Sequence, residues 1–282
     1  RRFRNTFRFL LGNLSDFDDQ ANAVSNWDDL EPIDQYMMAK TAQLLSDVEQ
    51  AYDSFKFNGV YRAVYDFVND LSSVYMDVTK DRLYSESPDS PRRRAVQTVL
   101  FNILEVLVRV LSPILSFTAD EVWECYPEAM RNREGRVCNV QLAGWPHRSD
   151  FVPALPGKAA EDKVLAAFGG ALEVRDVVTK ALEDARGAKV INKSQEATVS
   201  VTAPQATLDA LSAFDASVFE ELFIVSGVTF AAGDELACDV KPAEGDKCPR
   251  CWNYRELGGN ANHADVCQRC GDALDAIGFT EE

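Results

Sequence analysis

The sequence predicts a mainly α-helical protein, in which an antiparallel helix bundle is followed by a small α+β unit and a C-terminal four-cysteine ribbon. Three observations support this fold class. Apolar residues recur every three or four positions through the first half of the chain, which is typical of helices that bury one face. Residues 197–203 are small or β-branched and alternate in polarity, which indicates a strand. Four cysteines between residues 248 and 270 form two pairs of the type C-x2-C.

The bundle is predicted from four amphipathic segments joined by short links. The first covers residues 3–14, and an acidic loop at 15–31 follows it. Pro32 and Pro91 suit the first turns of the second and fourth helices, and Asn58 is expected to cap the third. The four helices would be about 14, 24, 24 and 25 residues long, and helices joined by short links pack as antiparallel neighbours.

A shorter helix is expected after the fourth long one. Pro113 should end or kink the long helix, because proline has no N–H group to continue the helical hydrogen bonds. Thr118 followed by Glu121 fits a capping box, which predicts a short helix that reaches about Tyr126.

The second half of the chain alternates between helical and strand patterns. Residues 158–185 have a helical pattern, 197–203 form a strand, 205–223 are helical, and 225–231 form a second strand. We therefore divide the chain into a helical bundle at 1–145, a Pro- and Gly-containing linker at 146–157, a small α+β junction unit at 158–236 and a metal-binding module at 237–282.

The composition is that of an ordinary globular chain, long enough for two or three domains. The 282 residues are 46% hydrophobic and 26% charged, unlike a disordered chain. The longest apolar run, Val106–Leu115, is interrupted by Arg109 and is shorter than the roughly 18 residues of a membrane span. No signal peptide is recognisable, and no membrane partner is expected. Four of the seven cysteines fall in one short stretch, unlike those of a secreted disulfide scaffold, so we expect a reducing, cytoplasmic compartment. Because the chain opens at Arg1 without an initiator methionine, we also expect it to be part of a larger protein.

The net charge of −16 argues against a non-specific nucleic-acid binder, but the charges are segregated. Residues 1–10 hold four arginines and no acid, whereas residues 11–35 hold seven acids and no base. Residues 92–94 are three consecutive arginines. Such segregation allows local basic patches on an acidic protein, although most charge runs are simply solvated surface.

The strongest chemical signal is the spacing C-x2-C-x15-C-x2-C, formed by Cys248, Cys251, Cys267 and Cys270. A gap of two residues lets each pair turn back as a knuckle with both sulfurs on one ion, and two knuckles complete a tetrahedron with Zn–S bonds of about 2.3 Å. Gly271 is expected to supply a positive φ beside the second knuckle. Four thiolates leave no position for water, which predicts a zinc ribbon with one structural Zn²⁺ per chain.

Other assignments of these cysteines remain open from the residues alone. Disulfides are an alternative, which the reducing compartment opposes, and an iron–sulfur cluster is another. His263 lies between the pairs and could replace one thiolate. The other three cysteines, at positions 125, 138 and 238, have no partner at useful spacing and are expected to be packing residues.

Basic and aromatic residues surround the predicted ribbon. Lys247, Arg250, Arg255 and Arg269 would offset the net charge of −2 that four thiolates and one zinc ion carry. Trp252 directly follows the first knuckle. Arginine and tryptophan side chains beside a metal can hold phosphates and stack bases, which makes these residues candidate RNA contacts. The alternative for Trp252 is that its indole only packs over the metal.

The first helix offers a second candidate RNA surface. Arg1, Arg4 and Arg8 share a stripe that lies roughly 100° or more around the helix from its apolar face. Arg2 and Asn5 flank this stripe. One face would then pack into the core while the other contacts phosphates.

Signatures of an independent catalytic centre are missing. The chain has no Gly-rich phosphate loop, no G-x-S-x-G and no His-Glu-x-x-His, and its only histidines are His147 and His263. We therefore expect no catalytic residue within this sequence.

Five stretches of the sequence resemble class I isoleucyl-tRNA synthetases in family order. They are RRFRNTFRFLLGNL at 1–14, YMDVTKDRLY at 75–84, PILSFTADEVW at 113–123, KSQEA at 193–197, and CPRCW at 248–252 with CQRC at 267–270. The bundle motifs alone would also suit valyl- and leucyl-tRNA synthetases. The zinc module resembles the one that closes the bacterial isoleucyl enzymes, and this selects the isoleucyl family.

The resemblance implies a tRNA-binding role within a larger ligase. The whole enzyme would use ATP to join isoleucine to its tRNA, and this chain would recognise the anticodon stem and loop. Because the family's His-Ile-Gly-His and Lys-Met-Ser-Lys-Ser signatures and its editing domain are missing, the chain is expected to be the C-terminal third, without the ATP-using catalytic domain. The implied partner is the tRNA specific for isoleucine, with no DNA partner, and the protein is expected to be a monomer. The alternative hypothesis is a stand-alone zinc-ribbon module that binds tRNA or acts as a scaffold.

Overall fold

The computed structural model describes residues 1–280, which fold into two compact units. The first unit contains Arg1–Asp77 and Asp89–Leu165, and the second contains Val78–Pro88 and residues 166–280. The segment Val78–Pro88 therefore lies between helices of the first unit in sequence but folds with the second.

The first half of the chain is helical, as its periodicity predicts. Its helices are α1 (Arg2–Asn13), α2 (Asp19–Asn22), α3 (Pro32–Asp53), α4 (Phe57–Asp70), α5 (Met76–Val78), α6 (Lys80–Ser85), α7 (Pro91–Leu111), α8 (Ser116–Glu124) and α9 (Glu128–Arg131). A π-helical turn, Leu71–Tyr75, joins α4 to α5, and single 3₁₀ turns occur at Trp27–Asp29, Val140–Leu142 and Arg148–Asp150.

Helix α7 forms the centre of the first unit, and most of its side chains are buried. It packs against α3, which packs in turn against α4, while α1 and α8 also contact α7. The α7 residues Val99, Leu100 and Ile103 are fully buried in this core. The predicted bundle is confirmed, and α7 ends at Leu111, just before Pro113.

Helix α4 begins at Phe57, one residue before the predicted cap Asn58. Phe55 takes a left-handed φ of 55°, which reverses the chain directly after α3. The N–H groups of Gly59 and Val60 both bind the Lys56 carbonyl, at 2.7 and 3.3 Å. Asn58 therefore lies in the first turn of α4 and does not cap it.

The predicted capping box at α8 is wrong. The helix begins at Ser116, because the N–H of Ala119 already binds the Leu115 carbonyl at 2.9 Å. Thr118 is thus inside the helix. Glu121 does not reach back to the helix start, and it accepts hydrogen bonds from Arg4 instead.

The acidic loop after α1 is held against the start of α7. Asp16 accepts hydrogen bonds from Arg93 at 2.7 and 2.9 Å, and Glu31 accepts one from Arg92 at 3.0 Å. The hydrogen bond from Arg93 outweighs burial and holds the pKa of Asp16 below its ordinary value. Arg94 also donates to Asp16 and to Asp89. The three consecutive arginines are therefore neutralised by acidic side chains and do not form a free basic patch.

The second unit is built on a three-stranded sheet. Strand β1 (Ala197–Ala203) pairs in parallel with β2 (Gly227–Ala232) and antiparallel with β3 (Ala237–Pro242), so β1 is central. Alternate residues of β1 are buried, as its sequence predicts. The long helix α10 (Lys158–Gly187) precedes the sheet, separated from it by a 3₁₀ turn at Ser194–Glu196.

Two features of this second unit go beyond the sequence reading. The region 205–223 forms two helices, α11 (Gln205–Leu211) and α12 (Ala216–Phe223), with a break between them. Strand β3 falls in the range assigned to the metal-binding module, yet it completes the sheet beside β1. Its residues are mostly exposed, so its sequence lacks the apolar alternation that marks a half-buried strand.

The chain ends in a small module with little regular structure. A two-stranded ribbon is formed by β4 (Asp246–Lys247) and β5 (Tyr254–Arg255), and the helix α13 (Gln268–Ala276) follows. Across residues 1–280, no helix combines the length and the apolar character that crossing a membrane requires.

Candidate metal centre and nucleic-acid interface

The structure brings the four predicted metal ligands together. The Sγ atoms of Cys248, Cys251, Cys267 and Cys270 all lie within 4.8 Å of one another, and all four residues are buried. None of the four forms a disulfide. They pack with Val266 into a small core, against which Leu257 and Leu274 also pack.

Backbone hydrogen bonds shape the first knuckle. The N–H of Trp252 binds the Cys248 carbonyl at 2.9 Å, and the N–H of Cys248 binds the Asn253 carbonyl at 2.9 Å. This tight turn places Trp252 at a φ of 67°, in the left-handed region. The positive φ of the knuckle therefore falls on a tryptophan, a residue that enters this region at a conformational cost.

The role predicted for Gly271 is wrong. Gly271 lies within α13 and has an ordinary helical backbone. A Cβ at this position would stand 2.4 Å from the Cβ of Asn260, so glycine is needed for close packing. Asn260 is itself buried and donates to Asp272 at 3.0 Å and to Asp275 at 2.7 Å.

The clustered thiols shift one another's pKa values. A hydrogen bond from Cys270 lowers the pKa of Cys251 to about 4, and the same bond raises the pKa of Cys270, which donates it. Burial raises the pKa of Cys267. Four sulfurs this close can all ionise only beside a cation, and four thiolates are a donor set that suits zinc.

The sulfur spacing also fits a single tetrahedral ion. The Sγ atoms of Cys251 and Cys267 are 3.8 Å apart. Zn–S bonds of about 2.3 Å in a tetrahedron place sulfurs about 3.8 Å from each other. The possible replacement ligand, His263, is not part of this cluster; it is buried, with its Nε2 3.4 Å from Asp275.

Two of the predicted RNA-contacting arginines are used inside the protein. Arg250 donates to the carbonyl of Ser85. Arg269 donates with both terminal nitrogens to Asp81, one of these bonds measuring 2.9 Å. Both partners lie on or next to α6, within the same unit.

The other candidates of the module are more accessible. Arg255 is 3.5 Å from Glu220, and Lys247 is exposed on β4. Trp252 is 49% exposed, so about half of its surface is open to solvent. The Lys193 ammonium lies 4.4 Å from the centre of the indole ring, which is a cation–π contact. Lys193 lies in the KSQEA stretch, but no sequence pattern marks it as a site residue.

The α1 candidates all lie on the surface, but they differ in their partners. Arg4 donates to both carboxylate oxygens of Glu121, at 2.7 and 2.8 Å. The Arg2 guanidinium lies 4.9 Å from the centre of the Tyr65 ring, and its hydrogen bond lowers the pKa of Tyr65. Arg1, Asn5 and Arg8 are exposed. Within residues 1–280, Arg8 has no ion-pair or side-chain hydrogen-bond partner.

An aromatic cluster next to α1 was not predicted. Tyr61 fits the apolar stripe of α4 in sequence, but it is 55% exposed. It stacks on Tyr65 with 5.7 Å between ring centres and contacts Phe3 edge-on at 6.1 Å. These rings and the first arginines line a cavity of about 320 Å³. Periodicity cannot reveal this surface, because a tyrosine at an apolar position suits either core or surface.

Comparison with protein families identifies two matching regions. Residues 34–201 match the model of the anticodon-binding domain of tRNA ligase. Residues 245–272 match the model of a zinc finger found in FPG and IleRS, and this range includes all four clustered cysteines.

Curated relatives match almost the entire chain. The isoleucine–tRNA ligase of Geobacillus kaustophilus is 42% identical over 96% of this chain and 29% of the relative. The isoleucine–tRNA ligase of Thermotoga maritima is 37% identical over 96% of this chain, and that of Kosmotoga olearia is 36% identical over 100% of it. The chain thus spans only 29–30% of the length of these relatives.

Proposed function

Because the chain belongs to the family of anticodon-binding domains of tRNA ligases, we propose that it is the tRNA-binding part of an isoleucine–tRNA ligase. The ligase as a whole would use ATP to attach isoleucine to its tRNA, with its catalytic domain outside this chain. The observation that carries the proposal is the combination of an anticodon-binding region with the four-cysteine cluster in one chain. We further propose that this ligase is a cytoplasmic monomer and that the tRNA specific for isoleucine is its nucleic-acid partner.

The zinc site is proposed to be structural, with one ion held by the four cysteines. Four thiolates fill a tetrahedron, so no position remains for a water or a substrate. The sulfur spacing of 3.8 Å suits one ion better than a multi-iron cluster, which would separate the ligands further. Bound zinc would supply charge neutralisation and a cross-link between the two knuckles.

Direct RNA contacts are proposed at two surfaces. On α1, Arg8 and Arg1 are exposed for phosphates, Arg2 and Asn5 flank them, and Arg4 would exchange Glu121 for a phosphate. In the zinc module, the exposed indole of Trp252 would stack on an unpaired base of the anticodon loop, and Arg255 would contact a phosphate. Arg250 and Arg269 already have partners inside the protein and would contribute positive potential near the RNA.

The test is tRNA binding measured across salt concentrations. Each lost phosphate contact flattens the log–log salt dependence of affinity by roughly 0.7 to 0.9. Arg8→Ala should weaken binding of isoleucine tRNA and flatten the slope by that amount. Lys163→Ala removes the same charge from an exposed position on α10 and is the matched control. Equal slopes for the two variants would argue against a phosphate contact at Arg8, and equal affinity for an unrelated tRNA would argue against isoleucine specificity.

A further inference from the structure

The two cysteine knuckles carry an arginine at the same place. The sequences CPRC and CQRC put Arg250 and Arg269 directly before the second cysteine of each pair. Both guanidinium groups extend from the knuckles and donate hydrogen bonds to the same short segment, Val78–Pro88. Arg269 holds the Asp81 carboxylate through two bonds, and Arg250 holds the Ser85 carbonyl.

Each arginine directly precedes a cysteine ligand in the chain, Arg250 before Cys251 and Arg269 before Cys270, and both cysteines are buried in the cluster. A single guanidinium thus joins the ligand cluster to α6 in both cases. Such bonds are directional and charge-assisted, so each arginine can hold α6 only while its own knuckle keeps its shape.

The segment that they hold depends on tertiary contacts. Helix α6 has six residues, and an isolated helix of that length is not stable in water. Arg82 provides another anchor for the segment, because it is fully buried and pairs with Glu221 of α12.

We propose that Arg250 and Arg269 are positioning residues that couple metal binding to the order of Val78–Pro88. Zinc fixes the two knuckles, the knuckles fix the two guanidinium groups, and these fix α6 at Asp81 and Ser85. The inference extends the proposed structural zinc site, but it does not depend on tRNA binding. It also gives the repeated arginine a role other than direct contact with phosphate.

Hydrogen–deuterium exchange of the full chain tests the coupling. Removal of zinc with a chelator should accelerate amide exchange in 78–88 by about ten- to a hundredfold, in parallel with exchange in 245–276, because each charge-assisted bond contributes roughly that factor to local opening. Exchange in the middle of α7 should not change. If 78–88 keeps its protection while 245–276 loses it, the proposal is overturned.

Asp81→Asn tests the same coupling from the other side without touching a knuckle. Linkage is reciprocal, so releasing α6 should weaken zinc affinity, by about tenfold. The control is Asp239→Asn, which breaks the exposed pair with Lys241 on β3 of the same unit and should leave both zinc affinity and exchange in 78–88 unchanged. Equal effects of the two variants would refute the assignment. Neither measurement uses RNA, so failure here is distinct from failure of the proposed tRNA binding.

Discussion

The position of Trp252 allows its proposed RNA contact to be separated from its place in the knuckle. Its φ of 67° is strained for any residue with a Cβ and unstrained for glycine. Trp252→Ala and Trp252→Gly both remove the indole, but only the glycine variant also relieves the backbone. Since the left-handed region costs an L-residue about 1–2 kcal/mol, the glycine variant should hold its knuckle more stably than the alanine variant by about 1 kcal/mol.

If the indole stacks on an anticodon-loop base, both variants should lose about 1–3 kcal/mol of tRNA-binding free energy, or about 5- to 150-fold in Kd. The salt dependence should stay nearly unchanged, because no phosphate contact is lost. Lys193→Gln removes the cation next to the ring and keeps the ring itself, so it serves as the comparison for the cation–π pair.

The assay combines zinc content with the salt dependence of isoleucine-tRNA affinity, both measured on each variant. A glycine variant that keeps its zinc and binds tRNA at full strength would refute the stacking role. Loss of zinc in the alanine variant with retention in the glycine variant would show that the backbone, and not the indole, is the sensitive element of the knuckle.

Three further outcomes follow from the packing and the ion pairs. Gly271→Ala should destabilise the zinc module by about 1–3 kcal/mol through overpacking, whereas Gly12→Ala, at an open helical site, should be neutral or stabilising; equal melting shifts would contradict this. Glu121→Gln should tighten tRNA binding at low salt, because it frees Arg4 and removes a negative charge, and unchanged affinity would argue against Arg4 as a contact. The depressed pKa of Asp16 means that its contribution to stability is present above its unfolded pKa of about 3.9 and is lost as the pH falls through the lower folded pKa. Asp16→Asn should therefore lower Tm slightly at pH 7 and make Tm depend less on pH in the acid range. A variant whose Tm falls with acid as steeply as that of the wild type would contradict this.

Local patterns predicted the elements of the fold well. The bundle helices follow from apolar spacing over three or four turns, and β1 follows from strict alternation, since in both cases one face meets the core. The ends of the helices were harder to predict, because they depend on which neighbouring groups hydrogen-bond the unpaired N–H and C=O groups there. Thr118 has the sequence pattern of an N-cap, but the Leu115 carbonyl accepts the first helical hydrogen bond, so the helix begins before Thr118.

The chemistry of the metal cluster follows from the amino-acid sequence alone. Two C-x2-C pairs bring their sulfurs together through local turns, whatever the rest of the chain does. The sequence also specifies which elements bury a face, because hydrophobic period is a property of consecutive residues. The environments of the arginines do not follow from the sequence in this way. Arg8 is exposed, Arg4 is paired with Glu121, and Arg93 is held by Asp16, although all three occur in similar basic runs.

Which charged groups and aromatic rings remain available to a partner depends on the tertiary structure. Asp81 and Arg269 are 188 positions apart and meet because Val78–Pro88 folds with the second unit, which no local pattern indicates. The half exposure of the Trp252 indole and the surface position of Tyr61 likewise depend on which distant residues pack beside them. Exposure and ion pairing depend on residues that are distant in sequence, so spacing identifies the candidate groups and folding selects those that can bind.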